Sequence, residues 1–303
     1  MTDPLGIRKA ADILRQGGLV AFPTETVYGL GADADNDQAL KAIFRVKGRP
    51  ESHPLIIHLH RVEQLQDWAA SIPGPARMLG ERFWPGPLTM ILRKAAWVST
   101  MATGGQETVG LRVPDHPMAL SLLRDFGGGV AAPSANRFGR VSPTTADHVR
   151  RDLGAEVDFI LDGGPCSIGV ESTIVDFSSG DPVILRPGGL TKERLEEALG
   201  RSVPVKGGGP VRASGQLDSH YAPRAEVVIV RPGEGEGRAG ELRSRGRKVV
   251  VLEEKDVAAR ELYASLRRAD ESGADVILVP LPDQVGLGLA VADRLKKAAA
   301  KRG

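Results

Sequence analysis

Cysteine is almost missing from this chain of 303 residues: Cys166 stands alone. That excludes an internal disulfide and any multi-cysteine zinc site. Net charge is nearly absent too, +2 at pH 7, with 40 Lys and Arg against 38 Asp and Glu. No acidic or basic tail dominates, so wholesale coating of nucleic acid is not indicated, though a local basic pocket remains open. No apolar run approaches the 18 residues of a membrane span. The opening MTDPLGIRKAADIL lacks a signal-peptide core, so a cytoplasmic protein is the expectation. Several chemical signatures are missing as well. No G-x-x-x-x-G-K-[ST] phosphate loop occurs, and no G-x-G-x-x-G follows a strand. There is no G-x-S-x-G elbow, and none of the six histidines has H-E-x-x-H spacing. No resident metal site is expected, and any Mg²⁺ arrives with a nucleotide.

What is present is ordinary globular composition, 41% hydrophobic and 26% charged, long enough for two domains. Asp3–Pro4 reads as a helix start, with Ile7, Ala10, Ala11 and Leu14 on one face. Leu19–Phe22 is a strand, and Tyr28, Gly29 and Gly31 are expected to close a turn after it. A helical pattern through Ala39, Leu40, Ile43 and Phe44 leads to a second strand, Leu55–Leu59. Further short strands, among them Thr108–Val113, Val130–Ala132, Ser172–Phe177 and Val183–Leu185, mix with helices without steady alternation. That argues for α+β, a mixed twisted sheet. Residues 206–224 are rich in Gly and Pro and read as a linker. Beyond it, Ala225–Val230, Lys248–Leu252 and Val276–Pro280 alternate with helices, the pattern of a small parallel α/β unit. The stretch from Pro232 to Arg247 yields no clear element, and no internal repeat is visible.

Residue 19–59 carries the densest chemistry. An apolar strand runs into Pro23, Thr24, Glu25 and Thr26; the cations Lys47 and Arg49 follow, then His53 and His58. Polar residues packed between a buried strand and a Gly turn favour a site over a plain strand exit. Lys47-Gly48-Arg49 suits a loop bringing two cations to one anion, or equally a solvated helix end. Thr108 and Arg112 share one face of a strand, and a buried Arg needs an anion, either a structural acid or a ligand carboxylate. Ser134 and Asn136 end a buried strand, Ser142 sits in the loop beyond, and Ser172 and Arg186 flank two more strand ends. His220-Tyr221-Ala222-Pro223 places functional side chains inside the linker, as a lid or as a docking anchor.

In order, PTETVYGLG, KGRP followed by HPL, TVGLRVP, PSAN, ESTIVD, LRPG and HYAP resemble the threonylcarbamoyl-AMP synthases in their long, two-domain form. The resemblance covers nearly the whole chain. It implies a YrdC-like catalytic domain over 1–205, a linker or lid over 206–224 and a small Rossmann-like domain over 225–303. It implies an enzyme joining L-threonine, bicarbonate (or CO2) and ATP into threonylcarbamoyl-AMP with release of pyrophosphate and water. Separate transfer proteins would then use the product for the t6A37 modification of ANN-decoding tRNAs, so tRNA is an indirect partner. Residue by residue, it implies threonine binding at Thr26, His58, Arg112, Ala132 and Ser172. It implies ATP contacts at Arg49, His53, Thr108, Ser134, Asn136, Ser142, Arg186 and Tyr221, with Lys47 and Arg49 as the catalytic cations. One departure is the acid in Gly215–Ser219, where the family has basic residues; another is a short stretch around 232–247. The alternative from another class is a non-catalytic RNA-binding module of the same fold. A carbamoyl-transfer domain of a hydrogenase-maturation protein shares the fold, but the lone cysteine argues against the zinc fingers that class carries. The central expectation is that Arg49, Arg112, Ser134 and Arg186 meet at one place.

Overall fold

The structure is a computed structural model and describes residues 3–206, 213, 215 and 220–300. Among these, nine strands form one sheet: β1 (Val20–Phe22), β2 (Gly29–Asp33), β3 (Ile56–His58), β4 (Leu88–Arg93), β5 (Thr108–Arg112), β6 (Val130–Ala131), β7 (Phe159–Ile160), β8 (Thr173–Asp176) and β9 (Val183–Arg186). Their spatial order is β7-β1-β2-β6-β3-β5-β4-β8-β9. Pairings β1–β7, β3–β5 and β4–β8 are parallel and the rest antiparallel, so the sheet is mixed, as expected.

Strand alternation sends β1 to two cores. Ala21 packs into the larger cluster, while Val20 and Phe22 meet the helices Pro4–Arg15 and Pro117–Phe126 on the other side. The first of these helices starts as its sequence directs: Asp3 Oδ1 accepts from Gly6 N at 2.9 Å, and Pro4 follows. Helix Asp37–Lys47 is capped by Asn36 and ends at Gly48, whose φ of 63° demands a residue without a Cβ.

Two expectations change. Tyr28 to Gly31 is not a turn: Gly29 opens β2, which pairs with both β1 and β6. A Cβ at Gly31 would lie 2.8–2.9 Å from Val130 and Phe22, so glycine lets side chains of the neighbouring strands cross over the backbone. And Pro232 to Arg247 contains a helix, Gly235–Arg243.

The C-terminal region is a second sheet of three parallel strands, β10 (Glu226–Val230), β12 (Val276–Pro280) and β11 (Val249–Val251), in that spatial order. Helices Leu262–Glu271 and Leu287–Ala299 cover it. It does not stand apart. Val141 and Val170 from the first region share a core with Tyr221, Tyr263 and Leu266. Arg267 reaches back to both Asp152 oxygens and to the Val141 and Ser142 carbonyls. Residues 190–203 (Leu190, Leu195, Val203) pack with the first core.

Candidate active site

One wall of the site grows from the ends of β1, β3 and β5. After Phe22 the chain folds over itself: Thr24 Oγ1 donates to Val27 O at 2.6 Å and accepts from Thr26 N and Val27 N at 3.2 Å. This turns Glu25 and Thr26 toward Arg112. The Arg112 guanidinium donates to Glu25 Oε1 at 2.7 Å and to Thr26 Oγ1 at 2.9 Å, and all three side chains are buried. The anion that this strand arginine needs is therefore a structural acid. Its Nε and Glu25 Oε2 have no partner among the described residues, so the pair retains donor and acceptor capacity. Parallel register sets His58 beside Arg112. Burial, and then Arg112, hold the His58 imidazole down at about 3, so it is neutral.

The opposite wall comes from β8 and β9. Antiparallel pairing lays Arg186 against the start of β8, where Nη2 donates to Ser172 O at 2.9 Å and to Ser172 Oγ at 3.1 Å. Gly188 makes this approach possible: a Cβ there would lie 2.3–2.4 Å from the Glu171–Thr173 backbone. Glu171 accepts from Ser142 Oγ at 2.7 Å, Tyr263 Oη at 2.8 Å and Arg294 Nε at 2.8 Å. Burial pushes its carboxyl up, but Arg294, Arg186 and the Ser142 hydroxyl outweigh it and hold the group at about 2.

The floor is the Pro133–Asn136 loop. Lys47, at the end of its helix, donates to the Ser134 and Asn136 carbonyls and so ties the loop from behind. Burial, and then Arg49, lower its ammonium well below the usual value. Arg49, lowered to about 10 by burial, donates to Pro54 O at 2.9 Å and lies 5.6 Å from the Phe138 ring centre. A chain of edge-on rings runs from His53 through Phe138 and His220 to Tyr221, which stacks on Tyr263. Tyr221 has φ of 60°, a left-handed conformation that costs a side-chain-bearing residue about 1–3 kcal/mol.

These walls line one open cleft. Arg49, His58, Arg112, Ala132, Ser134, Ser172, Arg186 and Tyr221 line it, so the strand-end cations and hydroxyls do converge. Thr26, Lys47, Asn136 and Ser142 stand behind the lining and hold Arg112, the loop and Glu171. His53 is not among the lining residues; its ring meets Phe138, the first link of the ring chain that leads to the cleft. Thr108 is not among the residues lining the cleft; it lines a small adjoining pocket with Ala213 and with Ile56, which lines the cleft as well. The acid in Gly215–Ser219 lies outside the described residues. Sequence reasoning missed Glu171 as a cleft group and missed Tyr263 and Arg294 altogether. Arg294 did leave a signal, a charge on the stripe Ala290, Val291, Leu295 and Ala298 of an otherwise apolar helix face. Among the described residues no three His, Cys, Asp or Glu side chains cluster as a metal site.

Comparison with known proteins covers both regions. Residues 12–188 match the Sua5/YciO/YrdC family model, described as telomere recombination, and residues 190–300 match one described as the threonylcarbamoyl-AMP synthase C-terminal domain. A threonylcarbamoyl-AMP synthase of Pyrococcus abyssi is 44% identical over 98% of this chain and 94% of its own length. One from Bacillus subtilis is 43% identical over 98% of this chain and 93% of its own. The crystal structure of P. abyssi Sua5 complexed with L-threonine superposes with a TM-score of 0.93 at 43% identity, covering 98% of this chain and 95% of that one. With both halves matched and the cleft built between them, this chain belongs to the threonylcarbamoyl-AMP synthase family.

Proposed function

We propose that the chain is an ATP-dependent synthase that turns L-threonine, bicarbonate and ATP into threonylcarbamoyl-AMP, pyrophosphate and water. The reading rests above all on the convergence of Arg49, Arg112 and Arg186 with Ser134 and Ser172 in one cleft, in a chain of this family. The threonine amine forms a C–N bond to the bicarbonate carbon with loss of water. A carbamate oxygen then attacks the α-phosphorus and the bond to pyrophosphate breaks. Attack brings two anions together, and guanidinium groups already in place lower that repulsion without reorganising.

In this reading threonine lies at the His58–Arg112–Ala132 end, where the Arg112 guanidinium lines the cleft and meets its carboxylate. ATP lies along Arg49, Ser134, Arg186 and Tyr221, with Mg²⁺ carried on the nucleotide. Lys47 serves by fixing the Ser134–Asn136 loop. The expected division into 1–205, 206–224 and 225–303 assigns the middle segment, much of which lies outside the described residues, the role of a lid over a hydrolytically fragile carbamate. Among the described residues no helix is long and apolar enough to cross a membrane. We place the enzyme in the cytoplasm, where downstream transfer proteins pass the group to tRNA. The deciding measurement is pyrophosphate release without RNA. It should require threonine and bicarbonate together; release that ignores threonine, or none at all, would end the synthase reading.

A further inference from the structure

Glu171 sits in the wrong place for a nucleotide enzyme. It lines the cleft beside Arg186 and Ser172, and its carboxyl is held ionised. A bare carboxylate there would face a triphosphate of the same sign. The structure answers this from outside the first region. Oε1 accepts from Ser142 at 2.7 Å and from Tyr263 at 3.1 Å; Oε2 accepts from Tyr263 and from Arg294, both at 2.8 Å. Three donors, with the Tyr263 hydroxyl shared between both oxygens, take up most of the capacity of the carboxylate. Arg294 is 1% exposed, lies 5.1 Å from the Tyr221 ring centre, and comes from the helix Leu287–Ala299. Tyr263 comes from Leu262–Glu271 and is fully buried.

Burying a guanidinium costs several kcal/mol unless its charge is answered. Here Arg294 meets Glu171 and the half-buried Asp293. We infer that Arg294 is a positioning residue for the nucleotide end of the cleft: by engaging Glu171 it keeps that carboxylate turned from ATP. The two C-terminal helices thereby set the potential at a cleft that they do not themselves line. Threonine is a zwitterion with no net charge and feels this field far less than ATP does.

The inference rests on the synthase reading for its choice of ligands, and the test keeps the two apart. ATP and threonine affinities are measured by calorimetry on the full chain, with circular dichroism melting as the check on folding. Arg294→Met should weaken ATP at least 10-fold and threonine no more than threefold. Adding Glu171→Gln removes the unanswered charge and should return ATP affinity to within threefold of the unaltered chain; a loss of packing alone would not be rescued this way. Arg294→Lys keeps the charge and should bind ATP nearly normally. If Arg294→Met does not fold, Arg294→Lys and the folded double variant decide in its place. A double variant that binds ATP as weakly as Arg294→Met, or at least 10-fold more weakly than the unaltered chain, overturns the inference. So does equal weakening of both ligands. An unaltered chain that binds both ligands yet makes no threonylcarbamoyl-AMP defeats the synthase reading alone. Normal turnover with no rescue defeats only the role of Arg294.

Discussion

Replacing Arg112 by Met separates two jobs that one guanidinium performs. The first is structural. Glu25 is 4% exposed, and its Oε1 depends on Arg112 while Oε2 already lacks a partner among the described residues. Breaking a buried pair from one side costs about 3–5 kcal/mol. At roughly 2 °C per kcal/mol for a chain this large, the melting temperature should fall by about 6–10 °C. Glu25→Gln in the same background removes the stranded charge and should recover most of that loss. The second job is binding. A charge-assisted hydrogen bond is worth about 1.5–3 kcal/mol, which at 1.4 kcal/mol per decade is roughly 10- to 150-fold. That factor should appear in the KM for threonine, with the KM for ATP little changed, and the Gln variant should not restore it. Calorimetric melting reads the first job and pyrophosphate release against each substrate reads the second. A threonine KM that stays put while the ATP KM rises would refute the assignment. A double variant as unstable as Arg112→Met would refute the charge argument.

Gly188→Ala should cut kcat/KM at least tenfold and cost about 1–3 kcal/mol in urea unfolding, because the added methyl strikes the Glu171–Thr173 backbone that carries Ser172; an unaffected variant would mean that this wall yields freely. Tyr221→Ala, which removes the ring between Arg294 and Tyr263, should slow turnover at least tenfold, and full activity would dismiss the lid. Acid should destabilise the fold from an early point. His58 and His220 are held at about 3 by burial, so the unfolded chain takes up both protons below about pH 6.5 while the native one does not. Their contribution is complete above that pH and falls by about 1.4 kcal/mol per proton per unit below it, roughly 4 kcal/mol together at pH 5. A urea midpoint equal at pH 7 and pH 5 would contradict this; the Glu171 carboxyl, held at about 2, adds its loss only below about pH 4.5.

Local chemistry was legible where it acts within a few residues. Asp3 starts its helix by accepting a main-chain N–H, as its sequence directs, and the cations Arg112 and Arg186 at the ends of apolar strands do meet. The β2 strand was not legible: GLGAD has no β-branched residue, and its strand character comes from β1 and β6 on either side. Helix Gly235–Arg243 carries three glycines and buries only Gly235 and Ala239, so no apolar stripe announces it. Thr108 shares a face with Arg112, yet four residues of strand separate them by about 13 Å, and of the two only Arg112 lines the cleft. Lys47, Asn136 and Ser142 are polar as expected but face inward to fix loops. Tyr263 and Arg294 reach Glu171 across 92 and 123 residues, beyond any motif.

The hold of Arg267 on Asp152 and on the Val141 and Ser142 carbonyls bears on protein engineering. Such a chain cannot be spliced as interchangeable cassettes. A grafted tail lacking a guanidinium at that spot would take this donor from the Asp152 carboxylate and from the Val141 and Ser142 carbonyls at once, and the graft would fail at the seam before its chemistry was ever tried.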